Sequence, residues 1–227
     1  MEKKPGVHTD LMNVPEGNES AQRRFSAITT SRIETLADGV FAIVMTLLVF
    51  DIRVPTTDFV QEIGLLSSLF TLVPNLFSYF LSFLILGVLW VGHHNQFFYI
   101  KRADRTLLWI NIFFMMCIAL VPFSAAVLAR YNTNPISIIL YDINLIFAGL
   151  LLFYHWWYAT RDNHLLNQAV EPHVRRLVTI RILIPPALYA FDIFICLWSP
   201  GIALLINVIV PLIYIFPNSV DRIFKRI

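Results

Sequence analysis

Arg32-Ile33-Glu34-Thr35-Leu36-Ala37-Asp38-Gly39-Val40-Phe41-Ala42-Ile43-Val44-Met45-Thr46-Leu47-Leu48-Val49-Phe50-Asp51-Ile52 is the stretch that decides how this chain is read. An arginine and two acids mark its first third and Asp51 its far end; between Asp38 and Asp51 only Thr46 carries a polar side chain. Ionisable groups are expensive inside a bilayer and face other protein or water there. The stretch therefore reads as the wall of a polar path rather than as a simple anchor.

The rest of the chain supports a membrane setting. It is 57% hydrophobic and 14% charged, with a mean hydropathy of +0.68, where soluble domains carry about 25% charged residues. The apolar residues fall in blocks of roughly 20, the length that crosses a ~30 Å hydrocarbon core as a helix. A barrel would show short alternating segments instead, so the fold class is an all-α integral membrane protein. The net charge of +2 says little about nucleic acid by itself, and the basic residues are spread over loops rather than gathered on one face, so no nucleic-acid partner is expected. Cys117 and Cys196 sit in apolar blocks and read as packing residues, not a disulfide. No short apolar core with a small-residue cleavage site opens the chain, so no cleaved signal peptide is expected.

Two regions follow from the polarity profile. Residues 1–27 form a polar N-terminal tail, and 28–227 form a membrane domain. Ser31, three residues before Glu34, matches a capping box at the start of the first span, which runs to about Ile52. Phe59 to Phe70 suggests a short interfacial helix. The second span covers Val73–Phe97, the third Leu107–Leu128 around Pro122, and the fourth Ile136–Tyr158. The fifth covers Val178–Trp198 with Pro185 and Pro186 inside it, and the sixth is short, Ile202–Phe216, with Pro211 inside. With six crossings, fifteen of the seventeen lysines and arginines fall on one side, among them Lys3, Arg24, Lys101, Arg105, Arg161, Arg181 and Lys225; the other side keeps only Arg53 and Arg130. That bias places both termini in the cytoplasm.

In the first span, Ile43, Leu47 and Phe50 are spaced i, i+4, i+7 and form one stripe, with Thr46 beside it. Ile43 falls close to the bilayer midplane. Around an axis shared by several copies these residues would stack as apolar rings, and a tight apolar ring closes a pore by dewetting. Packing against neighbouring helices would produce the same stripe. Asp51 is either a solvated helix-end acid or, as a ring, a pore mouth that concentrates cations.

Antiparallel packing brings Trp90, His93 and His94 of the second span to the depth of Arg32 and Asp38, with Asp104 and Asn111 of the third span nearby. These residues can satisfy one another, and the expectation is one structural network of Arg32, Asp38, Trp90, His93, Asp104 and Asn111 that holds the first span in place. His155, His164 and His173 add histidines, but no HExxH motif or cysteine cluster accompanies them, so no bound metal and no enzyme are expected. Asp142 and Asp192 lie inside the fourth and fifth spans. They support the alternative reading, a secondary transporter, although paired interrupted helices are lacking. No Thr-Val-Gly-Tyr-Gly segment is present, so a carbonyl-lined filter is absent.

Arg32 to Ile43 resembles the signature of the transmembrane protein 175 family, an arginine followed by Phe-Ser-Asp and then Gly-Val-Phe-Ala-Ile. Here Leu36-Ala37-Asp38 replaces Phe-Ser-Asp. Trp90-Val91-Gly92-His93-His94, the Asp104–Asn111 segment and Leu120-Val121-Pro122-Phe123 are similar to further patterns of that family, and the likeness covers about 31–217. It implies a six-helix subunit of a potassium-permeable cation channel, with the first helix lining a central pore. Prokaryotic members carry one such repeat and form homotetramers, which implies a channel in the plasma (inner) membrane of a prokaryote, with potassium as a transient occupant and no cofactor. The resemblance puts the constriction at Ile43 and further pore layers at Thr46, Leu47 and Phe50. Phe50 is bulkier than the aliphatic residue expected there, and Ala37 has no hydroxyl to offer the network.

Overall fold

A computed structural model describes residues 30–163, 165–166 and 168–215. The first helix, α1 (Thr30–Leu47), tightens into a 3-10 turn over Leu48–Asp51. Two short helices follow, α2 (Thr57–Ile63) and α3 (Leu65–Phe70), separated by Gly64 at φ +85°, a left-handed conformation open to glycine. They occupy the segment expected to form an interfacial helix. The longer helices are α4 (Val73–Tyr99), α5 (Arg105–Arg130), α6 (Pro135–Arg161) and α7 (Pro172–Cys196), and α8 (Pro200–Ile215) closes the described part.

The spans are all present, but their count needs qualification. Among the described residues five helices are long and apolar enough to cross a membrane, while α8 has 16 residues, about 24 Å of helix. The fold is thus five long apolar helices plus a shorter one. Several helices start earlier than their apolar residues do. Asn134 caps α6 by accepting from Ile136 N at 3.0 Å, with Pro135 in the first turn, and Asp104 caps α5 by accepting from Leu107 N at 2.8 Å. Ser31 does not cap α1: the helix already runs at Thr30, and the Ser31 carbonyl accepts from the Thr35 hydroxyl at 2.8 Å. The expected N-terminal tail and the basic C-terminal residues, Arg222, Lys225 and Arg226, lie outside the described residues, as does His164.

The bundle is built around α5 and α6. α6 packs along both α5 and α7, α8 lies on α7, and α1 lies across α5 and α4. Hydrocarbon offers no hydrogen-bond partner, so polar side chains in the core bond between helices. Ser78 donates to the Ala125 carbonyl at 2.8 Å, Ser82 bonds the Tyr141 hydroxyl at 2.9 Å, and Gln96 donates to the Leu152 carbonyl at 3.0 Å. Gly149 permits a close approach of α6 to α7, since a Cβ there would stand 2.6 Å from Cγ of Pro186.

One end of the bundle is tied separately. Ile33, Phe97, Ile100, Leu107, Ala159, Leu165 and Leu166 form a second apolar cluster. The backbone N–H groups of Lys101 and Arg102 both donate to the Leu165 carbonyl, at 3.0 and 3.1 Å. The starts of α1 and α5 therefore meet the ends of α4 and α6, and successive spans alternate in direction.

Candidate functional site

α1 has two unlike faces. Ile33, Ala37, Phe41, Val44 and Leu48 are buried against α4 and α5. On the other side Ile43 is 60%, Leu47 46% and Phe50 75% exposed, and Thr46 is exposed between them. The 3-10 turn preserves this line. Residues three apart eclipse in a 3-10 helix, so Phe50 stays over Leu47 on the exposed side, the side that the i, i+4, i+7 spacing of an α-helix also gives it.

Thr46 is oriented by its own helix. Its hydroxyl donates to the Ile43 carbonyl at 2.7 Å. The hydroxyl hydrogen is thereby committed to the backbone, and the oxygen keeps its acceptor capacity for whatever lies in front of it. At the far end, the Asn75 amide of α4 reaches Asp51, donating to its carbonyl oxygen at 3.2 Å and its carboxylate at 3.4 Å. Asp51 is half-buried and is held at the tip of α1 by a residue that sequence reading did not single out.

Behind the exposed face, α1 is fastened in two places. Trp90 Nε1 donates to Asp38 Oδ1 at 2.8 Å, and the indole stacks on His94 with centroids 5.5 Å apart. One turn further along, Phe41 packs on Phe114 at 6.1 Å, and Phe114 stacks on His93 at 5.4 Å. His93 Nε2 bonds Asn111 Oδ1 at 2.8 Å, both side chains being buried.

The six-residue network expected from sequence is divided. Asp38 pairs with Trp90 and His93 with Asn111, but Asp104 and Arg32 belong to neither pair. Asp104 spends one oxygen capping α5, and the other accepts from the Tyr158 hydroxyl of α6 at 2.6 Å. Seven residues of helix, about 10 Å, separate it from Asn111. Arg32 is exposed, six residues before Asp38, and makes no ion pair among the described residues.

The polar cluster also reaches a residue pair that was not foreseen. His155 Nδ1 and Gln96 Oε1 are 2.6 Å apart, and the His93 and His155 rings lie at 5.6 Å. Gln96 was detectable in principle, because it sits three residues after His93 on the same face of α4. His155 and Tyr158 were not, since only the packing of α6 on α4 and α5 brings them there. Among the described residues no group of three His, Cys, Asp or Glu side chains is placed to hold a metal ion.

Asp142 of α6 and Asp192 of α7 are completely buried, in helices that pack on α8, whereas α1 packs on α4 and α5. A cleft of about 540 Å³ lies between α4 and the α7–α8 pair, lined among others by Trp90, Gln96, Arg181, Tyr189 and Tyr214. α1 contributes nothing to it.

The chain is similar to known channel proteins. The family model described as the endosomal/lysosomal potassium channel TMEM175 matches residues 32–122, the segment from α1 through Pro122 of α5. A potassium channel of Streptomyces collinus is 32% identical over 191 residues, 82% of this chain and 92% of that one. A potassium channel of Chamaesiphon minutus is 34% identical over 186 residues, 79% of this chain and 92% of that one. The crystal structure of a lysosomal potassium-selective channel TMEM175 homolog from Chamaesiphon minutus superposes with a TM-score of 0.74 at 28% identity, covering 82% of this chain and 96% of that one.

Proposed function

The chain belongs to the TMEM175 family, and from that membership we propose that it forms a potassium-permeable channel in which four copies set the open face of α1 around a common axis. The family is one of channels, not enzymes. The observation that carries the reading is the asymmetry of α1, with Ile43, Leu47 and Phe50 exposed while the opposite face is buried in the subunit.

In such an assembly the constriction is made by side chains. The backbone of α1 is helical through Leu47, so its carbonyls are engaged along the helix and cannot coordinate an ion in the manner of a carbonyl-lined filter. Cations enter past Asp51, whose ring of negative charge raises their local concentration. They pass Phe50, Leu47 and Thr46 and cross the Ile43 ring, which is narrow, apolar and able to dewet. Thr46 is the one polar interruption. Its oxygen, with the hydrogen turned back to the Ile43 carbonyl, can replace part of an ion's hydration shell, and potassium releases that shell at lower cost than sodium.

The distribution of basic residues supports cytoplasmic termini, with 28–227 as the channel domain and 1–27 as its tail. The bacterial relatives support a plasma-membrane location. α6 and α7 run unbroken past Asp142 and Asp192, which speaks against a transporter site built on broken helices at the midplane.

The test is purified protein in planar bilayers under a potassium–sodium gradient, with Ile43→Asn beside the native chain. A polar ring hydrates the constriction, so the variant should show larger unitary steps. Native protein without unitary steps, or an Ile43→Asn variant with unchanged conductance, would overturn the reading.

A further inference from the structure

We propose that Asp142 and Asp192 form a proton-binding site inside the bundle, an acid pair that holds one shared proton and so joins α6 to α7 and α8. α6 and α7 meet at Gly149 and Pro186, and Asp142 and Asp192 lie seven and six residues from that contact toward the same end of the antiparallel pair, so the two acids come to one level. Both residues are 0% exposed, as is Asn207 of α8. The Asn207 amide donates to Asp192 Oδ2 at 2.8 Å. That leaves both oxygens of Asp142, Oδ1 of Asp192 and Oδ1 of Asn207 buried with no hydrogen-bond partner.

Four orphaned acceptors at one point, with a single donor group among them, need a hydrogen that the side chains as ionised do not possess. Two carboxylates sharing a desolvated site cannot both keep their charge, and an unpaired buried carboxylate is too costly to stand. A proton between them makes one acid a donor and removes one of the two charges.

The surroundings offer no other source of positive charge. From α6, Tyr141 faces the pair, its hydroxyl engaged with Ser82 of α4. From α7 come Tyr189 and Cys196, the latter bonded to the Ile193 carbonyl. From α8, Tyr214 lines the same cleft as Tyr189, the one between α4 and α7–α8, and its hydroxyl donates to the Arg181 carbonyl. Among the described residues no lysine, arginine or histidine hydrogen-bonds either acid. The site lies away from the α1 face, so its test is independent of the pore.

The experiment is infrared spectroscopy of the full chain in detergent at neutral pH, with Asp142→Asn and Asp192→Asn as variants. Asparagine keeps the shape of the protonated acid and supplies an N–H donor to the remaining carboxylate, which favours folding. The native protein should show the C=O stretch of a buried carboxylic acid, and each single variant should lose it. The melting temperature of the native protein should fall from neutral to alkaline pH, as the proton is withdrawn, while that of Asp142→Asn stays level. Absence of the band in the native protein, or its persistence in both variants, overturns the proposal. So does a native melting temperature restored at alkaline pH by potassium or sodium, which would make the occupant a metal cation.

Discussion

At Thr46 the chemistry of one side chain carries a property of the whole pore. Its hydroxyl hydrogen is held by the Ile43 carbonyl at 2.7 Å, which leaves the oxygen as an acceptor facing outward. Thr46→Val keeps the shape and removes the acceptor. It is expected to reduce the preference for potassium over sodium, read as a reversal potential moving toward zero under bi-ionic conditions; an unchanged reversal potential would remove Thr46 from the account. Trp90 tests the anchoring in the same way. Trp90→Phe keeps a ring beside His94 and deletes the N–H that reaches Asp38. Because this bond sits at an exposed position, the loss should be about 1 kcal/mol, visible as a lowered melting temperature in detergent, and Asp38→Asn should cost less because the amide still accepts.

At the level of the elements, the contacts between helices decide the outcome. Gly149 lets α6 lie against the Pro186 ring of α7, and a Cβ at 2.6 Å from Cγ meets a ring that cannot rotate away. Gly149→Ala should therefore separate α6 from α7 and destabilise the fold by about 1–3 kcal/mol, measured by unfolding in mixed micelles; a neutral effect would mean that the two helices slide apart freely. The helices themselves were readable because a span of apolar residues has one solution in a bilayer, and Asn134-Pro135 marks a helix start by chemistry alone. The end of α1 was not readable. Nothing in Leu48-Val49-Phe50-Asp51 announces a 3-10 turn, although the turn leaves Phe50 on the exposed side where the spacing puts it. Ser31 misled for a related reason: a capping pattern is indifferent to a helix that starts earlier.

For the whole molecule, the legible part of the site was the part carried by one helix. The Ile43–Leu47–Phe50 stripe follows from spacing, and which side of α1 is covered follows from Phe41 and Val44 meeting α4 and α5. The anchoring network was only half legible, because Asp104 turned to its own helix cap and to Tyr158, a partner that tertiary packing alone supplies. The central claim is that the exposed stripe of α1 faces an ion path shared between copies. Its most direct measurement is single-channel current from Ile43→Cys, with Cys117 and Cys196 replaced by alanine, during exposure to a cationic thiol reagent. The account predicts a stepwise, irreversible fall in current that the same chain with Ile43 intact does not show. Current that continues unchanged while the thiol at position 43 is labelled would contradict it.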